Sequence, residues 1–129
     1  MQIEFKGKTA IVMGSTSGIG FAIGLGLVRS DARVILNGRK EARLNEAVAR
    51  MRALAPGAEI SGPAADLATT KGVDACISAA GSADIVVNNL GAFKPKPFGE
   101  ITDADWLRFF ETNVLSGIRL SRHYLLAMI

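Results

Sequence analysis

A run of glycines and hydroxyl-bearing residues, Gly14-Ser15-Thr16-Ser17-Gly18-Ile19-Gly20, carries the strongest chemical signal in the chain. Where such a loop leaves a strand and opens a helix, bare backbone N–H groups and the positive end of the helix dipole meet a phosphate. The first glycine permits the tight turn, and the next two let a pyrophosphate approach the backbone and the helix pack close to the sheet. The Gly-Lys-Ser/Thr ending of a P-loop is missing, so ATP or GTP hydrolysis by that device is excluded. A turn that only joins strand to helix is the competing reading. Gly20, Gly24 and Gly26 echo the spacing downstream, but inside a helix they are expected to mark close packing instead of a second site.

A dinucleotide site needs a further group about 20 residues beyond the loop, where an acidic side chain binds the ribose 2′-hydroxyl of NAD. Leu36-Asn37-Gly38-Arg39 stands there instead. Arg39 offers a planar, permanent charge matched to a 2′-phosphate, so NADP(H) is favoured over NAD(H). An exposed arginine opening a helix is the alternative. The formal charge of +3 raises nucleic acid as a partner, yet Arg39, Lys40, Arg43, Arg50 and Arg52 are interrupted by Glu41 and Glu46. That mixture, with Glu46 and Arg50 at (i, i+4), describes a solvated helix face and not a nucleic-acid surface.

The elements that must position these groups alternate along the chain. Lys8 to Met13 is a β-branched apolar run that stops at Gly14, as a buried parallel strand does. Ile19 to Ser30 reads as a helix, Arg33 to Leu36 as a strand, and Lys40 to Leu54 as a helix ended by Pro56-Gly57. Glu59 to Ala64 is a weaker strand, Thr70 to Ala80 a helix, and Asp84 to Val87 a strand ending at Asn88-Asn89. A last helix starts at Thr102, where Thr102 and Asp105 resemble a capping box and Ile101 and Trp106 a hydrophobic staple. Its apolar stripe is expected to run through Trp106, Phe110, Asn113, Val114, Gly117, Ile118, Ser121, Tyr124, Leu125 and Met128. Alternating strands and helices predict an α/β fold with a parallel sheet covered on both faces.

With 129 residues, 49% of them hydrophobic, the chain is long enough for one domain with a real core. A single cysteine, Cys76, forbids an intrachain disulfide, and the N-terminus has no apolar stretch followed by a small-residue cleavage site. A reducing, cytoplasmic setting is therefore expected. No apolar run approaches the roughly 18 residues that cross a bilayer, so a soluble protein without a membrane partner is expected. No metal site is expected.

Taken together, Met13-Gly14-Ser15-Thr16-Ser17-Gly18-Ile19-Gly20 and Asn88-Asn89-Leu90-Gly91 resemble the two signatures of the short-chain dehydrogenase/reductase family. Members carry Thr-Gly-x-x-x-Gly-x-Gly after the first strand and Asn-Asn-Ala-Gly after the fourth. Asp66-Leu67 is similar to the family's acidic-apolar pair beside the adenine ring, and Asn113 to the helix asparagine of its catalytic machinery. The resemblance implies a doubly wound, Rossmann-like sheet in the order 3-2-1-4, incomplete because only the N-terminal portion of a typical member is present, so that residues 1–129 form one dinucleotide-binding domain. It implies cofactor contacts at Gly14 to Gly20, Asn37, Gly38, Arg39, Asp66, Leu67, Asn89, Leu90 and Gly91. It also implies an oxidoreductase acting on an alcohol or carbonyl.

Three departures qualify that expectation. Met13 and Leu90 replace a threonine and an alanine at the ends of neighbouring strands, and an apolar contact between them is expected to substitute for the threonine's polar one. The family's serine and its Tyr-x-x-x-Lys are absent. The only tyrosine, Tyr124, is followed at the fourth position by Met128 and is assigned to core packing. Asn113 is then a supporting residue without partners, or a buried polar group bonded to nearby backbone. Phe93-Lys94-Pro95-Lys96-Pro97-Phe98 lies beside the expected crevice without naming a substrate. Two functions stay open: the cofactor-binding part of an oxidoreductase, and a non-catalytic dinucleotide-binding or subunit-interaction module. A homo-oligomer is expected through the fourth strand, the last helix or both, because Val86, Val87, Leu125 and Met128 otherwise face water.

Overall fold

The computed structural model describes residues 1–129. Four parallel strands, β1 (Thr9–Val12), β2 (Arg33–Leu36), β3 (Ile60–Ser61) and β4 (Ile85–Val87), form one sheet in the order β3-β2-β1-β4. Helices α1 (Gly18–Arg29), α2 (Glu41–Leu54) and α3 (Thr70–Ala80) connect them. After β4 a 3₁₀ turn at Phe98–Glu100 leads into α4 (Asp103–Phe110), a π-helical turn (Glu111–Leu115) and α5 (Ser116–Met128).

Alternation along the strands splits the core into two layers. Ile11, Met13 and Ile35 face α3 and α5, meeting Leu67, Val73, Cys76, Leu120 and Tyr124. Val12, Val34 and Leu36 face α1 and α2, meeting Phe21, Val28, Leu44 and Met51. Each fully buried aliphatic side chain contributes about 1.5–3 kcal/mol, so the β-branched centre of the sheet outweighs the weak intrinsic helicity of α1. Register pairs Ala10 with Val34 and with Ile85, and Val34 with Ile60, which brings the carboxyl ends of β1, β2 and β4 to one rim. Met13 and Leu90 pack into the same apolar layer, in keeping with their paired exchange.

β3 is shorter than Glu59 to Ala64. Gly62 passes so close to the carbonyl of Leu36 that a side chain cannot enter, and Pro63 has no N–H for the ladder. Pairing resumes only as a single bridge between Gly38 and Ala64. Gly24 is a packing glycine, facing Leu36 and Met51, whereas Gly26 faces open space and packs against nothing. Arg50 does not pair with Glu46; its guanidinium lies 3.9 Å over the ring of Phe21.

The expected face of the last helix is corrected most. The capping box of Thr102 and Asp105 is present, but Trp106 is 56% exposed, and Phe110, Val114, Ile118, Leu125 and Met128 also face water. Ser116, Leu120 and Tyr124 are the fully covered positions, with Gly117 and Ser121 half-buried. Ser116 and Gly117 take the inner position at the start of α5 because the helix approaches Asn88 closely there, a Cβ on Gly117 lying 3.3 Å from Asn88 Cγ, while Leu120 and Tyr124 enter the core further along. The π turn also resets the phase between α4 and α5. The bulky apolar residues are left as an outward ridge.

Candidate functional site

The strand order reverses between β1 and β4, the switch point at which open α/β sheets form a crevice beyond their carboxyl ends. Gly14 and Gly18 turn the chain there with φ of +57° and +58°, in the left-handed region that disfavours side chains. Ser17 caps α1 without giving a side-chain acceptor to its amides, so the first turn opens onto the rim with N–H groups uncapped by side chains. Gly20 is covered by the chain itself: a Cβ there would lie 2.5 Å from Asn89 Nδ2 and nearer still to the Gly14 carbonyl oxygen. Asn89 donates to the carbonyls of Met13 and Gly14, both at 3.2 Å, fastening β4 to the glycine loop.

Several predicted site residues brace the rim with their side chains. Ser15 is buried, donating to the Val12 carbonyl at 2.7 Å and accepting from the Asn37 amide at 2.9 Å. Asn37 is buried too and donates to the carbonyl of Ala65 at 3.2 Å. Gly38 is in contact with the Thr16 methyl, which leaves no room for a Cβ. Leu67 belongs to the core, while its neighbour Asp66 is exposed and accepts from the Ala68 amide at 3.1 Å.

A cavity of about 380 Å³ opens beside this rim, lined among others by Arg39, Asp66, Leu90, Gly91, Lys94 and Arg108. Arg39 is exposed and takes part in none of the ion pairs. A larger groove of about 650 Å³ runs past Lys6, Arg29, Arg33 and Pro56 at the amino ends of the strands. It contains none of the loop residues, and the carboxyl side is where α/β sheets take ligands. The far wall of the smaller cavity is Arg108, Phe109, Glu111 and Thr112, residues that lie off the expected stripe of the helix and carry no local signal of a site.

Asn113 sits in the π turn, a feature often found at functional positions. Its side chain accepts from the Ala92 amide at 2.9 Å and donates to the carbonyls of Ala92 and Phe109. The bonds to backbone match the alternative expectation, but the residue is exposed and not buried. It ties the loop after β4 to the helix. A second tie was invisible in the sequence: Lys96 Nζ lies 2.7 Å from Asp105 Oδ2. The Lys96 hydrogen bond, followed by that of the Thr102 amide, holds the Asp105 carboxyl down at about 2, so the pair is charged at neutral pH.

Two reactive groups are set aside. Tyr124 is buried at the opposite end of the sheet and donates to the Gly81 carbonyl at 2.9 Å, and burial raises its pKa. Burial also pushes the Cys76 thiol up to about 11, which keeps it neutral and unreactive. No three His, Cys, Asp or Glu side chains converge into a metal-sized group, and no helix is long and apolar enough to cross a membrane.

Residues 8–129 match the family model for short chain dehydrogenases. Over its whole length the chain is 44% identical to the uncharacterized oxidoreductase YvaG of Bacillus subtilis and covers 49% of that protein. With YvrD of the same organism the identity is 39%, again over 49% of the relative. L-sorbose reductase from Gluconobacter frateurii, solved in complex with NADPH and L-sorbose, superposes with a TM-score of 0.90 at 36% identity over 99% of this chain and 50% of its own. The chain thus spans about half the length of the relatives it matches. A Rossmann-like sheet in the order 3-2-1-4, a glycine loop at its switch point and this similarity together place the chain in the short-chain dehydrogenase/reductase family of oxidoreductases.

Proposed function

We propose that this chain is the NADP(H)-binding part of an oxidoreductase that moves hydride between nicotinamide and an alcohol or carbonyl substrate. One observation carries the reading: the uncapped first turn of α1 faces the switch point of the sheet, framed by Gly14, Gly18 and the Asn89 clasp. A pyrophosphate there would meet the amides of Ser17 to Gly20, while Asp66, Leu90 and Gly91 would border the adenosine. The NADPH held by the superposed sorbose reductase supports this reading. The bound nicotinamide supplies the hydride chemistry; this chain's residues bind and orient. Asn113 would support the reacting end by fixing the Ala92 loop. Serine, tyrosine and lysine partners are not among these residues, so turnover is proposed only of a longer protein. The buried neutral thiol and the absence of any cysteine partner suit a reducing, cytoplasmic setting.

Arg39 supports NADP(H) over NAD(H): it stands just beyond β2 without an ion-pair partner, on a cavity whose lining carries Lys94 and Arg108 beside the acidic Asp66 and Glu111. Calorimetric titration is expected to give tighter NADPH than NADH binding, and Arg39→Asp should weaken NADPH by about tenfold or more and narrow the preference. Tighter NADH binding by the unaltered chain would end the preference. No heat with either dinucleotide would end the reading.

The exposed ridge of Trp106, Phe110, Val114, Ile118 and Leu125 favours a second element of function, subunit interaction. Exposed apolar surface of this kind drives self-association, and sedimentation is expected to show dimers or larger species at micromolar concentrations. A double Trp106→Lys, Phe110→Lys variant should shift them to monomer, and a monomeric unaltered chain would refute the idea.

A further inference from the structure

We propose that Arg119 is a positioning residue for the dinucleotide, holding the Asp66 turn at a fixed height across the adenosine cavity; this rests on the dinucleotide reading above. The turn is shaped from within by short bonds. Asp66 Oδ1 accepts from the Ala68 amide, Thr69 Oγ1 donates to the Asp66 carbonyl at 2.8 Å, and the Gly72 amide donates to Thr69 Oγ1 at 3.0 Å. These bonds set the curl of the turn but attach it to nothing on the other side of the cavity. That attachment comes from α5, where Arg119 Nη1 donates to the Ala68 carbonyl at 3.0 Å.

The opposite rim is fastened to the same helical unit. Asn113, one π turn earlier, holds both backbone polar groups of Ala92. Asp66 and Ala68 line one side of the cavity, Leu90 and Ala92 the other, and Thr112 of the helix closes the wall between. The π turn and α5 therefore act as a strut across two rims, one on the crossover from β3 to β4 and the other on the loop after β4, and Arg119 fixes the width at the Asp66 end. Arginine suits the task. Its stem spans the half-buried flank of α5, and its guanidinium offers several donors in a fixed plane while making no ion pair.

The test is calorimetric titration of the unaltered chain and of Arg119→Met and Arg119→Lys with two probes, NADPH and 2′,5′-ADP, alongside thermal unfolding by circular dichroism. Methionine keeps the apolar stem and removes the donor. It is expected to weaken both probes by about tenfold and, because the lost bond involves a charged donor at a part-buried carbonyl, to lower the unfolding midpoint by a few degrees only, leaving the protein folded where binding is titrated. Lysine retains a donor and should recover most of the affinity, a rescue that a packing role alone does not predict. Binding of both probes by Arg119→Met within twofold of the unaltered chain overturns the proposal. So does a loss that only follows a fall in the folded fraction, or a lysine variant as weak as the methionine one. Failure of the unaltered chain to bind either probe or NADH overturns the dinucleotide reading itself and is told apart by needing no variant; binding of NADH alone ends only the NADP(H) preference, and the variants are then titrated with NADH.

Discussion

Gly20→Ala is expected to abolish measurable dinucleotide binding, weakening it by more than about a hundredfold, while the protein still folds. The effect is one of space, because Gly20 does not have a positive φ and alanine suits a helix better than glycine. A methyl group there meets the Gly14 carbonyl oxygen and Asn89 Nδ2, with Ser15 Cα only 3.0 Å away. Two of these are backbone atoms, so no rotamer change relieves the clash. Either α1 withdraws from the sheet or the Gly14 turn opens, and in both cases the clasp from Asn89 to Met13 and Gly14 is lost. Overpacking of this kind costs about 1–3 kcal/mol of stability, leaving a folded majority in which the amides of the first turn no longer converge. Gly26→Ala is the matched control on the same helix: nothing lies within 4 Å, and a gain of about 1 kcal/mol is expected with binding intact. Denaturant titration and calorimetry on both variants check the pair. Binding by Gly20→Ala at the unaltered affinity would refute the account of the loop.

Local signals were read well where a residue's fate depends on its immediate neighbours. β2 (Arg33–Leu36) and α3 (Thr70–Ala80) have the expected bounds, because a β-branched run between turn residues leaves few choices, and the capping box at Thr102 is a chemical pairing confined to one helical turn. Features that depend on distant partners carry no such local signal. Of the expected stripe of the last helix, Gly117, Ser121 and Tyr124 do turn inward, but Ser116 and Leu120 join them, and Trp106 and Phe110 turn out because the helix passes too close to Asn88 for bulky side chains there. The π turn has no local signature; it sits where Asn113 reaches Ala92, a contact across 21 positions of sequence. Lys96 in a proline-flanked loop gives no hint of Asp105, and nothing local shows that the Ser15 hydroxyl joins Val12 to the Asn37 amide or that the Asn37 side chain reaches the Ala65 carbonyl. Hydroxyl and amide groups near a phosphate loop thus serve two ends, and only the fold distinguishes bracing from contact.

Gly72→Ala, outside the glycine loop, is expected to cost the fold more than any single change within it. Gly72 lies in the first turn of α3 with the Asp66 peptide directly against it: a Cβ would overlap the Asp66 carbonyl oxygen and come within 2.5 Å of its carbon and 3.0 Å of its nitrogen. All three are backbone, and the turn cannot retreat, because Leu67 is anchored in the core and Thr69 is bonded to both Asp66 and Gly72. Moving α3 instead would unseat Val73 and Cys76 from the layer they share with Ile11 and Met13. The loss should exceed the roughly 1 kcal/mol of a missing helix cap, which Thr69→Ala measures separately, and reach about 3 kcal/mol or more. For a domain whose whole stability is about 5–15 kcal/mol, that lowers the unfolding midpoint by roughly 10 °C or more. The two glycine variants then separate the two roles: Gly20→Ala stays folded and fails to bind, whereas Gly72→Ala loses stability first, and its folded fraction keeps the glycine loop but binds more weakly because the displaced Asp66 turn borders the adenosine cavity. A Gly72→Ala protein as stable as the unaltered chain would mean that the Asp66 turn does not sit on α3 as described, and the cavity it borders would lose its floor.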